Sequence, residues 1–199
     1  MIETSLEKIF LDIFNTAKEI NSHTDYPHTG GIYGLFLASS TLFQLTELIQ
    51  KNTLLYLGIS ENLYIRDYNE HFESGKTGSS SVRRALGAIL KDELKLKAIP
   101  RGSLEDFLKR KKYKFTQEGE LVLTSWMLEN LKIGYWKAPQ GWTKKLLKDR
   151  ETQLTIELKP VLDRDPRTKR FNPYAPFIDS VAAICIGEAE TIAVSNDRN

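Results

Sequence analysis

Tyr33 and Tyr56 are the residues from which chemistry can first be argued. Tyr33 lies in Gly30-Gly31-Ile32-Tyr33-Gly34-Leu35-Phe36, and Tyr56 in Leu54-Leu55-Tyr56-Leu57-Gly58-Ile59. Arg66 follows Tyr56 by ten residues, His71 comes soon after, and Glu151 lies far downstream. A phenol can give or take a proton, and a planar guanidinium grips phosphate through two parallel hydrogen bonds. A carboxylate oxygen suits a hard divalent ion. Together these groups can hold and cleave a phosphodiester. That reaction needs an activated water, stabilised phosphoryl oxygens and help for the leaving oxygen. A tyrosine in a glycine-flanked strand is more often a packing residue, so the other groups and their spacing decide the matter.

Such groups need elements to position them. The two glycine-flanked segments predict strands over 31–38 and 54–59. The join between them is too long for a hairpin turn and predicts a helix over 41–50. Asn62 is placed to cap a helix from about 63 to 72, which would carry Arg66. Leu6, Ile9, Phe10, Ile13, Phe14, Ala17 and Ile20 repeat at three and four, predicting an amphipathic helix over 3–20. Further helices are expected over 81–93 and from Ser103. Strand pieces are expected at 112–115 and 121–124 around an exposed Gln117-Glu118-Gly119 turn. Next come a helix over 125–131, an extended piece over 133–136 and a helix over 143–158, the last carrying Glu151 and stopped by Pro160. The chain ends in a Pro-rich stretch to 176 and a mainly helical segment. No repeat or linker is visible, so one domain over 1–199 is expected, with 164–199 as an extension.

Composition bounds the function. At 199 residues the chain can bury an adequate core, and 41% apolar with 27% charged residues is ordinary for a globular soluble protein. The net charge is only +2, so attraction to nucleic acid must come from local clusters. Candidate clusters are Arg83-Arg84, Lys109 to Lys114 with Lys111 and Lys112, Lys144-Lys145, and Arg164 to Phe171 with Arg167 and Lys169. Lys76 adds a charge in a Gly/Ser-rich loop. Alone, such runs are usually solvated surface. Gly75-Lys76-Thr77 mimics a P-loop end, but Glu70 stands where that motif needs glycine. Three histidines and one cysteine offer no zinc spacing, and His23 and His28 sit in a polar loop that favours solvated side chains. Cys185 makes no intrachain disulfide and fits a reducing compartment. With no signal-like start and no membrane-length apolar run, a cytoplasmic protein without a membrane partner is expected.

The tyrosine segments, together with Arg66 and the Glu151 helix, resemble the GIY-YIG nuclease family. Gly31-Ile32-Tyr33 matches the first half of the motif and Tyr56-Leu57-Gly58 the second, with leucine for isoleucine. Arg66 holds the family's spacing after the second tyrosine. Glu151, nine residues before Pro160, is similar to the family's metal-binding glutamate. The segments around Ser79 to Ala88 and Leu123 to Leu131 look like a poorly characterised bacterial branch. The resemblance spans 30–163 and implies insertions near 39–52 and 91–140.

The implied fold is α/β: a small, mainly antiparallel sheet flanked by helices, decorated by an N-terminal helix and the insertions. The implied activity is endonucleolytic cleavage of DNA, with one Mg²⁺ or Mn²⁺ held by Glu151. One tyrosine, Tyr56 in preference, is the general base, Tyr33 orients water or phosphate, and Arg66 binds phosphate. Bringing a free phenol from about 10 to neutrality takes about 4 kcal/mol of differential stabilisation. His71 stands one residue beyond the family's usual histidine position, and Asp163 replaces its usual asparagine. Restriction or other defence against foreign DNA is the first role to expect, with recombination or repair second. Cutting both strands implies a homodimer or successive nicking. A non-catalytic nucleic-acid-binding module with the same fold is the alternative.

Overall fold

The computed structural model of the chain describes residues 4–23, 25–38, 54–64 and 71–196. In chain order the elements are α1 (Leu6–Thr16), β1 (Lys18–Glu19), β2 (Gly31–Leu37), β3 (Leu54–Ser60), α2 (Ser81–Ile89), β4 (Ala98–Pro100), α3 (Leu104–Arg110), β5 (Tyr113–Phe115), α4 (Gln117–Asn130), β6 (Leu131–Lys137), α5 (Lys144–Leu158) and α6 (Ala175–Asn196). The helix expected over 41–50, most of that over 63–72, and Arg66 itself lie outside the described residues. No helix among the described residues is long and apolar enough to cross a membrane.

Where the sequence reads as one domain, the chain divides into two compact units, Met1–Glu70 with Leu128–Ala175, and His71–Met127 with Pro176–Asn199. In the first unit β1, β6, β2 and β3 pair in that order, antiparallel throughout. β6 is therefore a central strand, although its residues fall within the insertion expected over 91–140. One face of this sheet is apolar: Ile32, Phe36, Leu54, Leu57 and Trp136 share a core with Ile9 and Ile13 of α1 and Leu147 and Leu154 of α5. Ser5 caps α1 by accepting from the Lys8 amide at 3.2 Å. The helix stops at Thr16, whose hydroxyl bonds to the Tyr135 amide and carbonyl at 2.8 Å each, and the chain leaves as β1. The apolar repeat, which continues to Ile20, therefore overruns the helix.

The second unit holds α2, α3, the β4–β5 pair and most of α4 and α6. Ser103 caps α3 by accepting from the Asp106 amide, as its spacing suggests. Residues 117–130 form one helix, not a turn, a strand and a helix. The run Leu121-Val122-Leu123-Thr124 favours strand locally, but the tertiary setting of Glu120 prevails. Its carboxylate accepts from the Phe115 amide at 3.2 Å and from the Arg83 guanidinium at 2.8 Å. These bonds fix the first turn as helix, and Leu123 and Met127 bury the same side.

Candidate active site

β2 and β3 bring the two tyrosines together. Their register sets Tyr33 opposite Gly58 and Leu35 opposite Tyr56, which puts both phenols on one face of the sheet. The ring centroids are 6.0 Å apart with planes inclined by 48°. Gly58 makes this possible, because a Cβ there would sit 2.5 Å from the Tyr33 hydroxyl oxygen. The glycine of the second half-motif is thus the floor beneath the tyrosine of the first. Tyr33 is buried, with 1% of its surface exposed, whereas Tyr56 is half-buried.

The same face continues across β6, where Tyr135 lies opposite Tyr33. Tyr26 packs edge-on to Tyr135 at 4.9 Å and to His23 at 5.1 Å. Sequence alone does not reveal this aromatic row, and the solvated setting expected for His23 is corrected by it. The ring Nε2 of His23 meets the Ile133 carbonyl at 2.9 Å, and burial holds its pKa below the ordinary value. Alternation of Ile133 and Tyr135 along β6 is the available signal, but their partners are distant in sequence.

Glu151 comes from α5, which Thr143 caps by accepting from the Leu146 amide at 3.3 Å. Leu147, Glu151 and Leu154 are spaced four and three apart, so the carboxylate rides on the buried side of the helix, 7% exposed. Burial raises its pKa, and the Lys148 ammonium, 2.9 Å from Oε2, opposes that shift in part. Lys159 ends the helix in a left-handed conformation. Beyond it the Val161 and Leu162 amides donate to the Leu54 and Leu55 carbonyls at 3.3 and 2.7 Å. The segment after Glu151 is thereby laid along the strand that carries Tyr56.

Asp163 follows directly. Its Oδ2 accepts from the Thr168 hydroxyl at 2.6 Å and its Oδ1 from the Asp165 amide at 3.2 Å. Both oxygens close the turn over 163–168, which is a use for two acceptors where an amide side chain offers one oxygen. Burial pushes its pKa up, against these bonds. Asp165 accepts from Arg167 at 2.8 and 2.6 Å, and these bonds hold its pKa well below the usual carboxylate range. Arg167, expected to bind nucleic acid, is thus engaged with Asp165.

The remaining expected residues are dispersed. His71 belongs to the second unit and is buried, its Nδ1 3.1 Å from the Ser80 hydroxyl. Arg83 has no exposed surface. Its guanidinium donates to Glu120, Thr77, Thr124 and the His71 carbonyl at 2.8 to 3.1 Å. It is an interior clamp and cannot meet a phosphate, contrary to the sequence expectation. Arg84 donates to the Thr77 and Gly78 carbonyls at 3.0 and 2.8 Å. Lys76 pairs with Glu73 at 3.2 Å, and Lys144 with Glu61 at 2.9 Å. Lys111 is exposed at the end of α3, and Lys112 and Lys169 are partly exposed.

Among the described residues no three His, Cys, Asp or Glu side chains gather as a metal cage. A hard divalent ion can nonetheless be held by one carboxylate, with water and phosphate oxygens completing its shell. Glu151 fits that description: one of its oxygens already receives a cation, the Lys148 ammonium.

Comparison with known proteins gives a family match. A family model for the GIY-YIG catalytic domain matches residues 31–171. That interval contains both tyrosines, Glu151 and Asp163. No curated protein and no solved structure gives a significant match. GIY-YIG nucleases generally use divalent metal ions, in keeping with the buried carboxylate of Glu151 on α5. With a match that extends from residue 31 to residue 171 of 199, the chain belongs to the GIY-YIG nuclease family.

Proposed function

We propose that the chain is a DNA endonuclease that hydrolyses phosphodiester bonds one strand at a time, with Tyr56 as general base. The observation that carries this is the tyrosine pair: two rings 6.0 Å apart on one sheet face, the inner one seated over Gly58 and the outer one half-buried. Tyr56 takes a proton from the attacking water. Tyr33, which the resemblance gives the task of orienting water or phosphate, is buried and acts here by packing against the Tyr56 ring and positioning it. Arg66 is assigned to the phosphoryl oxygens by its place in the motif, where a permanently charged fork neutralises developing charge. Glu151 holds a single Mg²⁺ or Mn²⁺, which when bound acts as a Lewis acid toward the phosphate and the departing 3′ oxygen. No step is assigned to His71, whose ring is engaged with Ser80 in the second unit.

One tyrosine–glutamate set cuts one strand, so a double-strand break calls for a homodimer or for two successive nicks. Restriction or defence against foreign DNA is the biological role this chemistry serves best, with recombination or repair next. Supercoiled plasmid incubated with the protein and Mg²⁺ should relax to the nicked form, and Glu151→Ala should abolish nicking while leaving DNA binding in place. Retarded plasmid that is never cut, under Mg²⁺ or Mn²⁺, would instead identify a non-catalytic DNA-binding module.

A further inference from the structure

Lys148 touches the oxygen that the proposed function gives to a divalent ion, and it has a second carboxylate within reach. Its Nζ lies 2.9 Å from Glu151 Oε2 and 3.6 Å from Asp165 Oδ2. The Glu151 side chain is 9% exposed, so its ionised form needs a positive partner. Lys148 supplies one from the preceding turn of α5, at the i, i+3 spacing that brings helical side chains together. Asp165 is held in place by Arg167, which grips both its oxygens at 2.8 and 2.6 Å. An ammonium on a flexible four-carbon stem can move between two such posts, where a planar guanidinium would be locked to one.

We infer that Lys148 is a displaceable internal cation of this site. It pairs with Glu151 until a divalent ion takes the carboxylate, and it then passes to Asp165. This rests on the reading of Glu151 as the metal-holding residue. Lys148 is a positioning residue here: it orients the buried carboxylate, and it sets the concentration of ion needed to occupy the site. A divalent ion binding beside an unmoved ammonium would face like-charge repulsion at close range, so displacement and binding are coupled. Asp165 lowers the cost of displacement by offering the leaving ammonium a fixed partner.

Mn²⁺ binding to the full chain without DNA, read by the paramagnetic signal of the free ion, tests the inference apart from cleavage. Lys148→Met removes the competitor and should bind Mn²⁺ about tenfold more tightly than the parent, the scale of a half-buried ion pair. Lys148→Arg keeps the charge and should not gain affinity. Asp165→Asn should weaken Mn²⁺ binding in the parent and have little effect in the Lys148→Met background, since the residue acts through the lysine. Thermal melts of the metal-free variants confirm that each is folded. A folded Lys148→Met with parental affinity, or an equal effect of Asp165→Asn in both backgrounds, overturns the inference and leaves the metal assignment standing. Unaltered Mn²⁺ binding by Glu151→Gln would instead remove the metal assignment on which it rests.

Discussion

At the scale of residues, the site depends on space as much as on functional groups. Gly58 bears no chemistry, yet a methyl group there would collide with the Tyr33 phenol at 2.5 Å. Gly58→Ala should therefore displace Tyr33, destabilise the first unit by about 1–3 kcal/mol and reduce cleavage, as urea titration and nicking assays would read. The pairing of Tyr33 with Tyr56 and the helix that carries Glu151 are legible in the sequence because each rests on a short local motif. The aromatic row of Tyr26, His23 and Tyr135 is not, because Tyr135, on β6, is far in sequence from the other two. His23 gives this row a titratable marker. Burial holds its folded pKa below the ordinary 6.5, so the unfolded chain binds the proton more readily. Its contribution to stability is complete above 6.5 and is lost as pH falls through that value toward the lower folded one. Urea unfolding from about pH 8 to about pH 5 should show this decline in the parent and a smaller one in His23→Gln.

At the scale of elements, strands and caps can be read from local residues, and long-range partnerships cannot. β2, β3 and α5 follow from glycine-flanked β-prone runs and from Thr143 and Pro160 at the helix ends. The helix over Gln117–Asn130 escapes such reading because Glu120 looks like an ordinary exposed acid until Arg83, 37 residues away, is seen to meet it. Arg83 passes for a phosphate ligand for the same reason. Its replacement by Met would strand the buried Glu120 carboxylate. Arg83→Met should accordingly cost the second unit about 3–5 kcal/mol in chemical unfolding. In whatever fraction remains folded, the salt dependence of DNA binding should match the parent, since no phosphate contact is lost.

For the whole molecule, family membership fixes the chemistry to expect, and the chain divides into two compact units, both of which the family match enters. That division cannot be read from composition, because residues 71–127 and 176–199 are joined by contacts far apart in sequence. The tyrosine pair and Glu151 lie in the first unit. The assignment of Tyr56 as base is central to that chemistry. Single-turnover cleavage of a labelled DNA duplex in Mg²⁺, with duplex affinity measured in parallel, isolates it. Tyr56→Phe removes one oxygen at a half-buried position and should slow cleavage by about 10²-fold or more with unchanged affinity. Cleavage by Tyr56→Phe at the parental rate would contradict it.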